Sequence, residues 1–279
     1  MIRVIYFLIL AGCISTQNLH AQYVYFPAKG TIYFEKTDHP KARIRQMMNS
    51  QSNNRGGGFW GNIDQMPETR VSQYVMKFDQ TQSLMQNVVD KTESTSNNSN
   101  RSRGNSRFGG QMRVSVGGGG AFSSNEQKMY YQNIKTSQSK VQIELDEIYV
   151  LEDSLQEITW RFTDEYRQIA GYDCRRVNGA TKDSLYLVAF YTDQIPLGSG
   201  PILAHGLPGM ILGLAIPEMH INYWATKVEF SNEDVSRNWE DKKAKALKTN
   251  DFADLILRQM RGRGGQDVSR RKFLEQLYY

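Results

Sequence analysis

The side chains able to do nucleophilic or metal chemistry are few. After Ala21 the chain holds one cysteine, Cys174, and three histidines, His39, His205 and His220. A thiol nucleophile needs an imidazole within hydrogen-bond reach to take its proton. Cys174 with His205 or His220 is the pairing the sequence offers, although neither context resembles a Cys-hydrolase signature. Serine hydrolysis would want a strained G-x-S-x-G elbow, and "GSGP" (Gly198–Pro201) reads instead as a loop. Zinc would want closely spaced His or Cys ligands, and none are present. Met219 beside His220 has the softness Cu(I) favours, but adjacent strand residues point to opposite faces. The carboxylate neighbours Asp146/Glu147 and Asp164/Glu165 fit a solvated edge better than acid–base work. No catalytic residue, metal ligand or cofactor is therefore expected. An envelope hydrolase or thiol enzyme using Cys174 with His205 or His220 is the alternative.

His205 introduces the most compact motif in the chain, "AHGLPGMILGL" (Ala204–Leu214). Pro208 presets φ near −65°, and Gly209 after it supplies the positive φ of a type II turn over Leu207–Met210. Gly206 permits close backbone approach. The tail Met210–Ile216 lacks polar alternation, so both faces should be buried, and Pro217 ends it. Gly206, Leu207, Pro208, Gly209, Met210 and Ile211 thus read as a corner that aims a core strand.

The elements that must hold this corner read mostly as strands. Gly30–Lys36 is β-branched and aromatic; Arg70–Asp79 sets Ser72, Tyr74, Met76 and Phe78 against a wetter face of Val71, Gln73, Val75 and Lys77. "SLMQNVV", "KMYYQNIKT", "KVQIELDEIYVLED", "EITWRFTDEY", "YDCRRV", "SLYLVAFYT" and "MHINYWATKVEF" continue in that style, joined by short polar links. The prediction is a mainly β fold: a curved antiparallel sheet, meandering and half-barrel-like, with a few short helices and long disordered insertions. Helices are expected over His39–Ser50, over Asp251–Met260 with Asp251 as cap, and late in Asp267–Tyr279 with Ser269 as start. In the second of these, Phe252, Leu255, Ile256 and Gln259 form the stripe expected to pack on the sheet.

Composition bounds the rest. With 39% hydrophobic and 23% charged residues and a formal charge of +5, the 279-residue chain suits one large soluble domain, and it has neither a membrane bundle's hydropathy nor a dedicated polyanion binder's charge. Residues 1–21 read as a signal peptide cleaved after Ala21, with "LAGC" (Leu10–Cys13) offering lipoprotein processing at Cys13 as the alternative. A single β-rich domain over 22–245 is expected, with low-complexity insertions at 51–62 and 91–126, then a helical basic extension over 246–279. The Ser/Asn/Gly-rich insertions cannot bury enough apolar area to offset their chain entropy, so they should be mobile. Their Arg–Gly patches would suggest RNA in another compartment; behind a signal peptide, no nucleic-acid partner is expected. "DSL" occurs at Asp153–Leu155 and Asp183–Leu185, a tripeptide some bacterial envelopes glycosylate at Ser and equally an ordinary polar strand end.

"GLPGMI" (Gly206–Ile211) resembles the signature of the GLPGLI family of exported bacterial envelope proteins, with Met210 for the usual Leu. "ITWRFTDEYRQIAGYDCRRV" (Ile158–Val177) is similar to that family's Trp, acidic, Gly-Tyr-x-Cys segment, through Trp160, Gly171, Tyr172 and Cys174. "AFYTDQIPLGSGP" (Ala189–Pro201) is similar to a second segment, through Tyr191, Pro196, Gly200 and Pro201, with Phe190 in a Trp place. The resemblance implies a periplasmic or outer-membrane-associated β protein with no transmembrane span in its mature form and no established activity. It also implies an accessory role near a TonB-dependent outer-membrane receptor or another envelope protein. The 15 Tyr and 12 Phe would serve either a ligand-binding face or ordinary sheet packing.

Overall fold

The computed structural model describes residues 28–50, 66–88, 127–145, 147–262 and 269–279. The leader with Cys13 and the cleavage site, the insertions at 51–62 and 91–126, and most of "RGRGG" lie outside the described residues. The fold is mainly β, as expected. Strands β1 (Gly30–Asp38), β2 (Arg70–Phe78), β3 (Gln82–Val88), β4 (Lys128–Asn133), β5 (Gln138–Glu144) and β6 (Ile148–Ser154) form one antiparallel meander. A second runs through β7 (Ile158–Ile169), β8 (Tyr172–Thr181), β9 (Tyr186–Thr192), β10 (Met210–Ile216) and β11 (Ile221–Phe230). β1 pairs with β11 and joins them, and a short β12 (Lys245–Leu247) adds in parallel to β6, completing one open sheet of 12 strands. "KVQIELDEIYVLED" is thus two strands, β5 and β6, folded against each other.

The two ends of the eleven-strand meander are consecutive in sequence. Only Leu155, Gln156 and Glu157 separate Ser154 of β6 from Ile158 of β7, a path of at most about 14 Å. The sheet must therefore curl enough to bring the end of β6 within that distance of the start of β7, and among the described residues no backbone pairing closes it there. Rolling gives it an inner face. Cross-strand register places Phe34, Tyr74, Met85, Tyr130, Val141, Leu151, Tyr223 and Leu214 on that face, all buried in one cluster. The wet/dry reading of β2 holds, with Tyr74, Met76 and Phe78 inward. β10 is buried on both faces, as its unbroken apolar run predicts.

The two C-terminal helices pack on the inner face, through Phe252 on Tyr149 and Tyr278 on Tyr130. α1 (Pro40–Ser50) leaves β1 with Pro40 at its first position, where a missing N–H costs nothing. α2 (Thr249–Gly262) does not start from Asp251: the Thr249 amide donates to Asp153 Oδ2 at 3.0 Å, and Asp251 sits in the first turn. Its buried stripe is Phe252, Ala253, Ile256 and Leu257, while Leu255 is 38% exposed, so the expected stripe was rotated. α3 (Arg270–Tyr278) is capped by Ser269, as predicted, and buries Phe273 and Leu277. Between β11 and β12, residues 231–244 cross the outer face: Val235 N donates to Asp79 Oδ2, Trp239 stacks on Tyr131, and Glu240 meets Lys140.

Candidate functional site

The corner is built from the loop between β9 and β10. Ile195 O accepts from Met210 N (3.0 Å), Gly198 O from Gly206 N (3.2 Å) and Ser199 O from Ile211 N (2.8 Å), so residues 195–211 fold back on themselves. The loop then reaches across the interior. Ser199 Oγ lies 2.7 Å from Ser83 Oγ of β3, and Gln132 Nε2 of β4 donates to Ser199 Oγ (2.8 Å) and to Gly200 O (2.9 Å). These groups are buried, where losing one partner would cost far more than the bond gains in water. Ile202, φ +61°, sits at the loop tip with its amide on Met85 Sδ. Pro201 is buried beside it, and Pro196 is exposed.

The turn chemistry differs from the prediction. Gly206 takes the positive φ, +89°, and Gly209 does not. Gly209 is needed for space instead: a Cβ there would run into the Thr192 carbonyl oxygen, with the Thr192 carbon at 2.8 Å and Asp193 Cα at 2.9 Å. Leu207, Met210 and Ile211 are buried, and Pro208 faces solvent. Gly200 is likewise a packing glycine, facing Ile211.

Two family-like positions meet at the corner. Trp160 on β7 donates from Nε1 to His205 O at 2.9 Å, and Gly206 lies against its indole. Gly179 of β8 leaves room for the Trp160 ring, a role that no local sequence pattern signals. Gly171, φ +86°, and Ala170, φ +49°, form the tight β7–β8 hairpin turn that hands the chain to Tyr172 and Cys174. Tyr191 meets Phe162 edge to face.

The groups with reactive potential are each engaged separately. Cys174 is buried, its Sγ donates to Tyr172 O at 3.5 Å, and burial, then Asp173, pushes its thiol up to about 12. His205 Nδ1 contacts Leu203 O at 2.8 Å, and burial holds its imidazole below the ordinary value against that bond. His220, in the left-handed region at φ +55°, caps the turn Pro217–Met219, with Nε2 on Gln46 Oε1. His39 Nδ1 faces Thr69 Oγ1. No hydrogen bond joins Cys174 to either histidine, and its register sets it on the outer sheet face, whereas Trp160 and the corner lie on the inner one. Among the described residues no three His, Cys, Asp or Glu side chains converge on a metal-sized site. No described helix is long and apolar enough to cross a membrane.

One cluster escapes sequence reading. Lys36 Nζ donates to Tyr279 O (2.7 Å), Lys128 Nζ to Leu277 O (3.0 Å) and Tyr130 OH to Tyr278 O (2.9 Å). Three strand side chains thus satisfy the carbonyls that end α3 and place two cations at its negative pole. Burial, then the neighbouring Lys128, lowers the Lys36 ammonium to about 8.

Residues 177–213, from mid-β8 through the corner into β10, match the model of a family described as a protein of unknown function (Porph_ging). No curated protein matches the chain. Two solved structures of PNGF-II, in the C2 and P21 space groups, are similar over 82% of this chain at 14% identity, each with a TM-score of 0.47. The match covers 33% of those chains, so this chain spans about a third of their length.

Proposed function

We propose that this chain is a non-catalytic accessory or binding protein of the bacterial cell envelope, of the GLPGLI kind. In this reading it is exported to the periplasm or the outer-membrane surface and works beside a TonB-dependent receptor or another envelope protein. One observation carries the reading. The corner, the only place where the sequence concentrates unusual residues around a histidine, serves to lock the interior: its backbone pairs within the loop, and its loop bonds to β3, β4 and β7. Cys174 is buried with its thiol on Tyr172 O, and His205 and His220 each hold another internal partner and do not bond to it.

Affinity capture from envelope extracts tests this. A TonB-dependent receptor or a defined envelope complex should co-purify, and the triple variant Cys174→Ala/His205→Gln/His220→Gln should capture it equally well if folded. Capture of no envelope component would count against the accessory role. Hydrolysis of an envelope ester by the wild-type chain and not by the triple variant would restore the enzyme alternative.

A further inference from the structure

Among the described residues β7 is the longest strand, 12 residues, and pairs on one side only, with β8. Along it Phe162 is 48% and Tyr166 66% exposed. A free strand edge presents unpaired N–H and C=O groups, and proteins commonly blunt it with a bulge and with charge. Both devices occur here. The pairing with β8 slips between Phe162 and Tyr166. The slipped residues are pinned: Thr163 Oγ1 donates to Arg176 O (2.8 Å), Arg175 Nε to Thr163 O (2.7 Å), and Arg176 holds Glu165 with two contacts, 2.7 and 2.6 Å.

The charges, however, are arranged to match a second copy of the same strand in one register. Arg161 lies two residues before Thr163 and Glu165 two residues after it. When two copies of β7 lie antiparallel with Thr163 opposite Thr163, each Arg161 faces Glu165 of the second copy and each Trp160 faces its Tyr166. Moving the centre to Asp164 would set Asp164 against itself and Arg161 against Arg167. In the favoured register, opposed residues share a face: Trp160 and Tyr166 are on the inner side, Arg161 and Glu165 on the outer. We infer that β7 is a self-pairing edge through which two copies of this chain form a two-fold dimer, the register being selected by the Arg161–Glu165 pairs. The two-fold axis stands perpendicular to the sheet, so both inner faces stay on one side and the exposed Tyr166 rings are covered by Trp160. The central bulge, Thr163–Glu165, confines regular backbone pairing to the flanks, Ile158–Trp160 of one copy against Tyr166–Gln168 of the other, with each Arg161–Glu165 pair just inside them. This inference stands apart from the accessory role proposed above.

Sedimentation equilibrium on the full chain tests it, and a concentration-dependent dimer is expected. Arg161→Glu and Glu165→Arg should each weaken association by about tenfold or more, since symmetry turns each substitution into two like-charge contacts. An equimolar mixture of these two variants should associate again, because every charge then meets its opposite. Glu165→Arg also loses the Arg176 clamp. If its thermal melt shows misfolding, Arg161→Glu alone, with hydrogen exchange on the wild type, decides: amides of 158–168 should slow as concentration rises. A monomer at every concentration, a dimer indifferent to Arg161→Glu, or protection growing on another element would overturn the assignment.

Discussion

Gly206 and Gly209 stand three residues apart and are required for different reasons, so their replacements should differ in cost. Gly206→Ala forces a β-carbon into φ +89° with ordinary contacts around it, a loss of about 1 kcal/mol. Gly209→Ala drives its β-carbon into the Thr192 backbone, which cannot swing aside as a flexible side chain would, and should cost about 2–3 kcal/mol. Denaturant melts of the two variants check the order; a smaller loss for Gly209→Ala would contradict the packing argument. Cys174 makes a second prediction at this scale. A neutral, buried thiol does not react, so alkylation at about pH 8 should be negligible until the chain is unfolded. Quantitative labelling of the native protein would refute its role as a core hydrophobe.

The contacts between elements predict how the corner and the C-terminal helix are held. Trp160→Phe keeps an aromatic ring over Gly179 but deletes the Nε1 bond to His205 O, leaving a carbonyl short of its donor. A loss of about 1–2 kcal/mol is expected, read as a lowered melting midpoint. α3 predicts a pH dependence. Lys36 holds its proton less tightly in the fold, at about 8, than when exposed, at 10.5. Between those values the unfolded chain binds more protons, so Lys36 adds stability as pH rises from about 8, and its burial penalty is complete below it. The buried phenols of Tyr130 and Tyr223 are raised chiefly by burial and oppose this only above their ordinary 10. The wild type should therefore gain on Lys36→Met as pH climbs through 8 to 9.5 or so in urea melts, and parallel curves would contradict the buried amine.

At the scale of the whole molecule, local patterns reported faces faithfully and partners poorly. Alternation in Arg70–Asp79 and the unbroken run of Met210–Ile216 told which sides are dry, and both hold in the fold. Alternation carries no information about the pairing of β1 with β11, nor about the rolling it imposes. β12 is three residues, too short to leave a pattern, and it exists because β6 offers it an edge. The expected phase of α2 counted only large apolar residues and so missed the buried Ala253, while Leu255, counted as inward, is 38% exposed. The free edge of β7 and the Gly209 contact are tertiary facts, invisible until distant strands are assembled. The resulting claim is that the Pro–Gly corner is a lock for the rolled sheet and opens only when the sheet does. Native-state hydrogen exchange of the Gly206, Met210 and Ile211 amides measures this directly. Exchange governed by the global unfolding free energy, equal to that of the β10–β11 core, is the predicted result; exchange through a cheaper local opening, with the sheet still protected, would contradict it.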